Sequence, residues 1–276
     1  MKEIIFLNGK FIVPQKALVS ALSYGFLYGW GVFETMRASN GRIVYLNEHL
    51  HRLQSSCRNI GLKLPYSFSK AKTIINKAVS KNEFSDNYVK LACWKSGTNT
   101  DFMLIAREYI PLAEDIYKKG FSILSSNFTQ NENSFLTRVK STNRLLQELA
   151  YQQAKEKGFD EAILLNCRGH ICEATRSNIF FVKNEKLFTP SLKCGCLPGI
   201  TRKVVFDLAK KEKITLKEGN FTLKELQQAD EVFLTNSLMG IMPVSSVNKK
   251  DIRLNHSNGL ARYFIKKYKL LINNGN

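Results

Sequence analysis

The chain has 276 residues, 44% of them hydrophobic, and a formal net charge of +18 at pH 7. This length and hydrophobicity indicate a globular protein with one large core or two smaller domains. The Lys and Arg residues are spread over the whole chain and form no basic arm, which argues against a nucleic-acid partner and favours a surface that attracts anionic small molecules.

Membrane insertion, disulfides and metal binding are also disfavoured. No apolar run approaches the ~20 residues of a membrane span, and the N-terminal sequence lacks the layout of a signal peptide. We therefore expect a cytoplasmic protein with no membrane partner. Six cysteines are too scattered for a disulfide framework, and the four histidines do not fall at zinc-ligand spacing with them, so we expect reduced thiols and no metal.

The first half of the sequence predicts meandering strands with separate helices, an α+β pattern. Apolar runs on either side of Asn8-Gly9 predict a β-hairpin, and a second such turn at Asn40-Gly41 follows a strand from Val32 to Arg37. Asn47 is the expected N-cap of a helix through Asn59. The remaining predicted elements are a strand from Arg42 to Leu46, a helix from Ser67 to Lys81, strands from Tyr88 to Trp94 and Phe102 to Arg107, and a linker from Pro111 to Asp115.

The second half contains a basic tract from Arg138 to Arg144, which we expect to open a helix from about Asn143 to Lys157. A later apolar strand from Ile171 to Val182 is interrupted by Glu173. The other predicted elements are strands from Phe121 to Ser125, Glu161 to Leu165, Ile214 to Lys217 and Glu231 to Thr235, and helices from Lys203 to Lys211, Thr222 to Gln228 and Leu260 to Leu271.

Lys140, within the basic tract, is the candidate nucleophile. A lysine amine becomes nucleophilic when burial or a neighbouring cation lowers its pKa, and it then condenses with an aldehyde. Arg138 and Arg144 could supply that neighbouring charge. The alternative interpretation is one more solvated lysine in a lysine-rich chain.

Further residues suggest binding of an anion and of an aromatic nitrogen. Arg52 lies on or beside the inward stripe of its helix, and a buried guanidinium needs either a phosphate or a carboxylate. Glu173 is either salt-bridged or the partner of a protonated heteroaromatic nitrogen. The turns Leu197 to Arg202 and Asn236 to Val244 present backbone N–H groups and hydroxyls that suit a phosphate. Together with a reactive lysine, these are the parts of a pyridoxal phosphate site.

The same residues lie in a series of ordered motifs that cover nearly the whole chain. They are Tyr28-Gly29-x-Gly31-Val32-Phe33-Glu34-Thr35, Asn47-Glu48-His49-x-x-Arg52-Leu53, Lys140-Ser141, Glu173-x-x-x-Ser177-Asn178-Ile179-Phe180, Leu197-Pro198-Gly199-Ile200-Thr201-Arg202, Ala229-Asp230-Glu231-Val232-Phe233 and Pro243-Val244. In these motifs the chain resembles the fold-type IV pyridoxal phosphate enzymes, also called class IV aminotransferases.

The resemblance implies a homodimer of two-domain subunits. The expected domains are residues 1–113, a smaller N-terminal α/β sandwich, and residues 114–276, a larger C-terminal pseudo-barrel like that of D-amino-acid aminotransferase, which would carry Lys140. Lys140 would hold pyridoxal 5′-phosphate as a Schiff base, and Glu173 would pair with the pyridine nitrogen. The other cofactor-binding residues implied are Arg52, Asn178, Ile200, Thr201, Asn236 and Ser237, and the substrate-facing candidates are Phe33, Thr35, Arg37, Trp94 and Asn236.

Within the family, the chain looks most like the aminodeoxychorismate lyases, which release pyruvate and 4-aminobenzoate for folate synthesis. The residues that carry this likeness are Thr35, Asn143-Arg144 and the turn from Thr235 to Val244. Two features depart from the family pattern, Trp30 in place of the usual Asp and a short turn from Lys95 to Asp101. The rival within the family is a transaminase for branched-chain or D-amino acids that uses 2-oxoglutarate. The rival of another class is a non-catalytic basic binding protein.

Overall fold

The computed structural model describes residues 3–254 and 259–273. Helices and strands form two compact units, which confirms the α+β class. Of the described residues, unit 1 comprises 3–111, 139–143 and 272–273, and unit 2 comprises 112–138, 144–254 and 259–271. The domain division after residue 113 stays a prediction, but the segment with Lys140, which the sequence analysis assigned to the second domain, groups with unit 1.

Unit 1 is built on an antiparallel six-stranded sheet. Its strands are β1 (Glu3–Leu7), β2 (Lys10–Ile12), β3 (Gly31–Ser39), β4 (Arg42–Ile43), β5 (Asp86–Ser96) and β6 (Asn99–Glu108). They are ordered β2-β1-β6-β5-β3-β4. The first hairpin is confirmed: Asn8 and Gly9 have φ values of 44° and 98°, as a tight turn with two left-handed residues requires.

The helices of unit 1 are α1 (Tyr24–Tyr28), α2 (Leu46–Asn59) and α3 (Phe68–Ser80). Apolar residues of α2 and α3, among them Leu50 and Ile75, pack with Val32 and Met36 in one core. The expected N-cap at Asn47 was wrong, because the chain reverses at Tyr45, whose φ is 54°, and α2 has already begun at Leu46. The predicted end at Asn59 is confirmed.

Unit 2 is built on a nine-stranded mixed sheet. Its strands are β7 (Phe121–Gln130), β8 (Glu161–Asn166), β9 (Ile171–Ala174), β10 (Asn178–Lys183), β11 (Lys186–Pro190), β12 (Leu216–Gly219), β13 (Glu231–Asn236), β14 (Gly240–Val247) and β15 (Lys250–Asp251). The order is β12-β11-β10-β13-β14-β7-β8-β9, with β15 beside β14. The helices are α4 (Glu114–Lys119), α5 (Leu145–Glu156), α6 (Ile200–Lys211), α7 (Leu223–Gln227) and α8 (Leu260–Asn273).

One predicted strand of unit 2 is in fact two. A turn at residues 175–177 separates β9 from β10, so that Glu173 lies near the end of one strand and Asn178 begins the next. Helix α6 begins at Ile200, three positions before the predicted start, because Gly199 already serves as its N-cap. Both differences move candidate residues to the ends of elements, where side chains and backbone N–H groups can reach a ligand.

The described part of the chain also bears on membranes, thiols and metals. Within residues 3–254 and 259–273, every helix is too short or too polar to span a bilayer. All six cysteines are free thiols. Among the same residues no three His, Cys, Asp or Glu side chains converge as metal ligands would.

Candidate active site

Lys140 lies in a segment that precedes helix α5. The predicted helix from about Asn143 to Lys157 is confirmed as α5, which begins two residues later than expected, at Leu145, after the N-cap Arg144. The Lys140 segment runs beside β3, and the Phe33 N–H donates to the Lys140 carbonyl at 2.9 Å. The preceding residue, Val139, is 3% exposed and packs in the core of unit 1. A strand contact and a buried neighbour therefore fix the backbone that carries the lysine.

The Lys140 side chain lies against an aromatic ring. Val32 and Ser141 form an antiparallel bridge. Lys140 is therefore opposite Phe33, and the two side chains share one face of the sheet. The Lys140 Nζ is 4.8 Å from the centroid of the Phe33 ring, and the Nζ of Lys90 is 5.0 Å from the same centroid. Two ammonium groups thus flank one aromatic ring at cation–π distance.

We call this surface the Phe33 face and define it as Phe33, Thr35, Arg37, Lys90, Trp94 and Lys140, which alternate along β3 and β5 or lie beside them. It brings Lys140 together with four of the substrate candidates from the sequence. Sequence reasoning missed Lys90. The sequence did contain a signal for it: Lys90 lies inside a predicted strand, an even number of residues from Trp94, so the two side chains point to the same face.

Two members of the Phe33 face differ in what they offer a ligand. The Nε and Nη2 of Arg37 both lie 2.7 Å from the Asp86 Oδ1, so this guanidinium already has a carboxylate partner. The Trp94 indole is buried, and its Nε1 has no hydrogen-bond partner among the described residues. A Cβ on Gly25 would come within 2.4 Å of the Trp94 ring, so glycine is required there. Trp94 therefore offers a donor that a bound ligand can satisfy.

Arg52 reaches a carboxylate that the sequence analysis did not identify. Its Nε donates to the Glu34 Oε1 at 2.7 Å and its Nη2 to the Glu34 Oε2 at 2.6 Å. His49, one turn earlier on α2, has its Nδ1 2.7 Å from the same Oε2. Of the two anions considered for Arg52, the structure provides the carboxylate directly. A phosphate role for Arg52 stays a prediction.

This cluster should make unit 1 sensitive to acid. Burial alone would raise the pKa of Glu34, but the charge and hydrogen bonds of Arg52, with the hydrogen bond of His49, lower that pKa from 4.5 to about 2. Because the folded pKa is depressed, the stabilisation is present above pH 4.5 and is lost as the pH falls towards 2. The shift corresponds to a free energy on the order of 3 kcal/mol. We expect the free energy of unfolding in urea to fall less between pH 5 and pH 3 for Glu34→Gln than for the wild type, because glutamine does not titrate. Equal losses would mean that Glu34 is not the group with the lowered pKa.

In unit 2, Glu173 is held near the end of β9. It is 8% exposed, and its Oε2 accepts hydrogen bonds from the Leu197 N–H at 3.0 Å and from the Asn178 Nδ2 at 3.2 Å. Arg144, considered above as a neighbouring charge for Lys140, donates to the carbonyl of Thr175 within unit 2. Burial lowers the pKa of Arg144, and the charge of Glu173 opposes that shift. The result is an oriented carboxylate with a guanidinium in its electrostatic field.

The N-terminus of α6 has the features of an anion site. The helix starts after Gly199 with no side-chain cap, and Thr201 in its first turn is 2% exposed with an Oγ1 that has no partner among the described residues. The buried Oγ1 of Thr235 lacks a partner in the same sense. A Cβ on Gly199 would lie 2.0 Å from the Asn178 Oδ1, so any larger residue there would displace the Asn178 amide. The unsatisfied Thr201 hydroxyl, beside the first-turn N–H groups of α6, suits a phosphate.

The turn between β13 and β14 is shaped by Asn236. Its Oδ1 accepts hydrogen bonds from the N–H groups of Leu238 and Met239, at 3.0 and 2.9 Å, and its Nδ2 donates to the Ser177 Oγ at 3.1 Å. These bonds hold the turn that contains Ser237. The geometry of Asn236 is thus that of a turn-forming residue, and its contact with a substrate stays a prediction.

The sequence-predicted residues form two groups, one in each unit. Unit 1 contains Phe33, Thr35, Arg37, Arg52, Trp94 and Lys140, with Arg52 bound to Glu34 on the opposite face of β3 from Phe33, and unit 2 contains Glu173, Asn178, Ile200, Thr201, Asn236 and Ser237. The second group fits pyridoxal phosphate: a buried carboxylate suits the pyridine nitrogen, and the orphaned Thr201 hydroxyl in the first turn of α6 suits the phosphate.

Comparisons with known proteins agree with this chemistry. The family model for Amino-transferase class IV matches residues 31–247. A Methanocaldococcus jannaschii protein provisionally named a branched-chain-amino-acid aminotransferase is 34% identical over 96% of this chain and 95% of its own. The aminodeoxychorismate lyase of Bacillus subtilis is 29% identical over 89% of this chain and 87% of its own.

A solved structure extends the match to the fold and the cofactor. A branched-chain amino acid aminotransferase from T.th., crystallised with pyridoxamine 5′-phosphate, superposes with a TM-score of 0.92, at 26% identity, over 99% of this chain and 95% of that chain. The resemblance found in the motifs is confirmed, and the interpretation as a non-catalytic binding protein is not supported. The chain belongs to the class IV aminotransferase family, whose enzymes depend on pyridoxal phosphate.

Proposed function

We propose that this enzyme is a 4-amino-4-deoxychorismate lyase that releases pyruvate and 4-aminobenzoate. The observation that supports it is the chemistry of the Phe33 face. The Phe33 ring with the Lys90 ammonium beside it, and a buried indole N–H on the same face, suits a flat ring that carries a carboxylate. A branched aliphatic side chain would instead favour apolar walls.

The roles of the protein residues follow from their positions. Pyridoxal phosphate, when bound, draws electrons from the substrate carbon that carries the amino group. Lys140 would hold the cofactor and use its Nζ to take the proton from that carbon. Glu173 would keep the pyridine nitrogen protonated, and Arg52, Ile200, Thr201 and Ser237 would bind the phosphate. The substrate divides into pyruvate and 4-aminobenzoate with no added atom, so no oxidant or second substrate is needed.

A transaminase for branched-chain or D-amino acids is the second candidate. Similarity to the Methanocaldococcus jannaschii protein favours it. The Lys90 ammonium at Phe33 is also compatible with a carboxylate of 2-oxoglutarate. Lys140, Glu173 and the phosphate ligands would serve both reactions, so the substrate-facing side chains must decide between them.

The deciding experiment supplies both kinds of substrate to the cofactor-loaded enzyme. One assay follows 4-aminobenzoate and pyruvate from 4-amino-4-deoxychorismate. The other follows glutamate formed from 2-oxoglutarate and a panel of L- and D-amino acids. We expect both lyase products in equal amounts and little amino transfer. Efficient transfer without 4-aminobenzoate would overturn the lyase proposal in favour of the transaminase.

Lys90 should bind a substrate carboxylate. Replacing it with glutamine removes a charge-assisted contact, so we expect KM for the anionic substrate to rise about 10-fold to 100-fold with a smaller change in kcat. Lys95→Gln is the matched control, because Lys95 lies on the same strand with the opposite parity. Equal effects of the two changes on KM would count against a role for Lys90.

We also propose a homodimer, in keeping with the family. Residues 17–30 expose a run of large apolar side chains, with Leu22 80% and Phe26 72% exposed. Such a patch in one chain typically marks a protein interface. Light scattering should therefore find a dimer for the wild type and monomers for Phe26→Asp, whereas Leu192→Asp, at an exposed leucine elsewhere, should remain dimeric. A dimeric Phe26→Asp variant would place the interface elsewhere.

A cytoplasmic location stays a prediction.

A further inference from the structure

Glu34 occupies a position that strand β3 otherwise gives to apolar residues. Val32, Met36 and Ala38 alternate with it on the buried face of the strand, and Glu34 itself is 0% exposed. A buried ion pair rarely stabilises a protein more than well-packed apolar side chains of similar size would. Stability alone therefore gives little reason for a carboxylate at this point in the core.

The contacts of Glu34 fix one guanidinium in one orientation. Both of its oxygens accept hydrogen bonds from the Nε edge of Arg52, at 2.7 and 2.6 Å. Such a two-point contact sets both the direction and the plane of the guanidinium. His49 donates from its Nδ1 to the same carboxylate at 2.7 Å and is itself buried. Burial lowers the pKa of His49, and the hydrogen bond and charge of Glu34 oppose that shift.

We propose that Glu34 is a positioning residue for the cofactor phosphate, which it serves by holding the Arg52 guanidinium in its binding orientation with support from His49. The inference rests on the proposed role of Arg52 as a phosphate ligand. A long arginine side chain loses conformational freedom when it binds an anion, and an arginine that is already fixed loses less. The geometry places that fixing contact on the Nε edge of Arg52.

Positioning and simple charge neutralisation predict opposite results. If Glu34 only offset the charge of Arg52, its removal would strengthen the attraction between Arg52 and a phosphate. If Glu34 positions Arg52, its removal would weaken phosphate binding even though a negative charge is lost. The sign of the change therefore distinguishes the two roles.

The test compares pyridoxal phosphate with pyridoxal, which lacks the phosphate, in titrations of the apoenzyme followed by absorbance. We expect Glu34→Gln to weaken pyridoxal phosphate binding about 10-fold to 100-fold and to leave pyridoxal binding nearly unchanged. Arg52→Gln should show the same selectivity, and the double variant should be no weaker than Arg52→Gln alone, because both changes act through one guanidinium.

Two further variants complete the test. Asp86→Asn breaks the comparable pair with Arg37 on the same strand and should leave the ratio of the two affinities unchanged. Glu34→Asp keeps the negative charge but moves it away from Arg52, because its side chain is shorter. It should weaken pyridoxal phosphate binding selectively in the same way, and it replaces Glu34→Gln if that variant does not fold. Tighter binding, or equal weakening for both ligands, would overturn the positioning role. If Arg52→Gln leaves the ratio of the affinities for pyridoxal phosphate and pyridoxal unchanged, Arg52 is not a phosphate ligand. That result leaves the proposed lyase reaction open, because the assay with 4-amino-4-deoxychorismate tests it separately.

Discussion

Lys140→Ala is expected to lower kcat by at least about 1,000-fold, because the change removes both the covalent attachment of the cofactor and the base that moves the substrate proton. The loss should not come from unfolding. Lys140 bonds to β3 through its backbone carbonyl, which alanine retains, and its side chain is half-buried against Phe33. The melting temperature of the apoenzyme should therefore change by less than about 3 °C.

Lys90→Ala is the matched control for this result, since Lys90 and Lys140 lie at similar distances from the same ring. After treatment with borohydride, the Lys90 variant should retain a covalent cofactor adduct and the Lys140 variant should not. A reducible adduct in Lys140→Ala would assign the attachment to another lysine. Loss of the adduct in the Lys90 variant alone would mean that Lys90, and not Lys140, carries the cofactor.

Glu173→Gln should lower kcat by about 100-fold with little change in folding. Glutamine has nearly the same shape, and its carbonyl oxygen can still accept the hydrogen bonds from the Leu197 N–H and the Asn178 side chain. What disappears is the negative charge that would keep the pyridine nitrogen protonated. The measurement is kcat together with the absorption spectrum of the bound cofactor, which should shift.

Glu161→Gln provides the comparison for that variant. Glu161 is also buried in unit 2 and accepts a hydrogen bond from the Thr175 hydroxyl, but the proposed chemistry does not use it. Burial raises its pKa, so a neutral glutamine should be well tolerated there. We expect this variant to keep kcat and the cofactor spectrum. Comparable losses in the two variants would mean that Glu173 acts only through packing.

Local sequence signals predicted the local structure well. The hairpin at Asn8-Gly9 and the end of α2 at Asn59 follow from turn chemistry and helix periodicity. The setting of Lys140 does not, because its segment pairs with β3, a strand distant in the sequence. The helix that follows Asn143-Arg144 was visible from local signals, but the contact of the Lys140 segment with β3 is tertiary and has no local signal.

The candidate site shows the same limit. The inward position of Arg52 was visible from helix spacing, but the choice between phosphate and carboxylate was left open until Glu34 was found beside it. Lys90 escaped notice because a lysine in a lysine-rich chain is ordinary until its neighbour across the sheet is known. Strand parity indicates which side chains share a face, whereas pairing between distant strands is set by the fold.

The most direct test of this account is to find which lysine carries the cofactor. The holoenzyme would be reduced with borohydride and digested, and the pyridoxyl group located by mass spectrometry. We predict that it lies on Lys140 and on no other lysine. Modification of a different lysine, or a protein that takes up no pyridoxal phosphate at all, would contradict the assignment on which every proposed role depends.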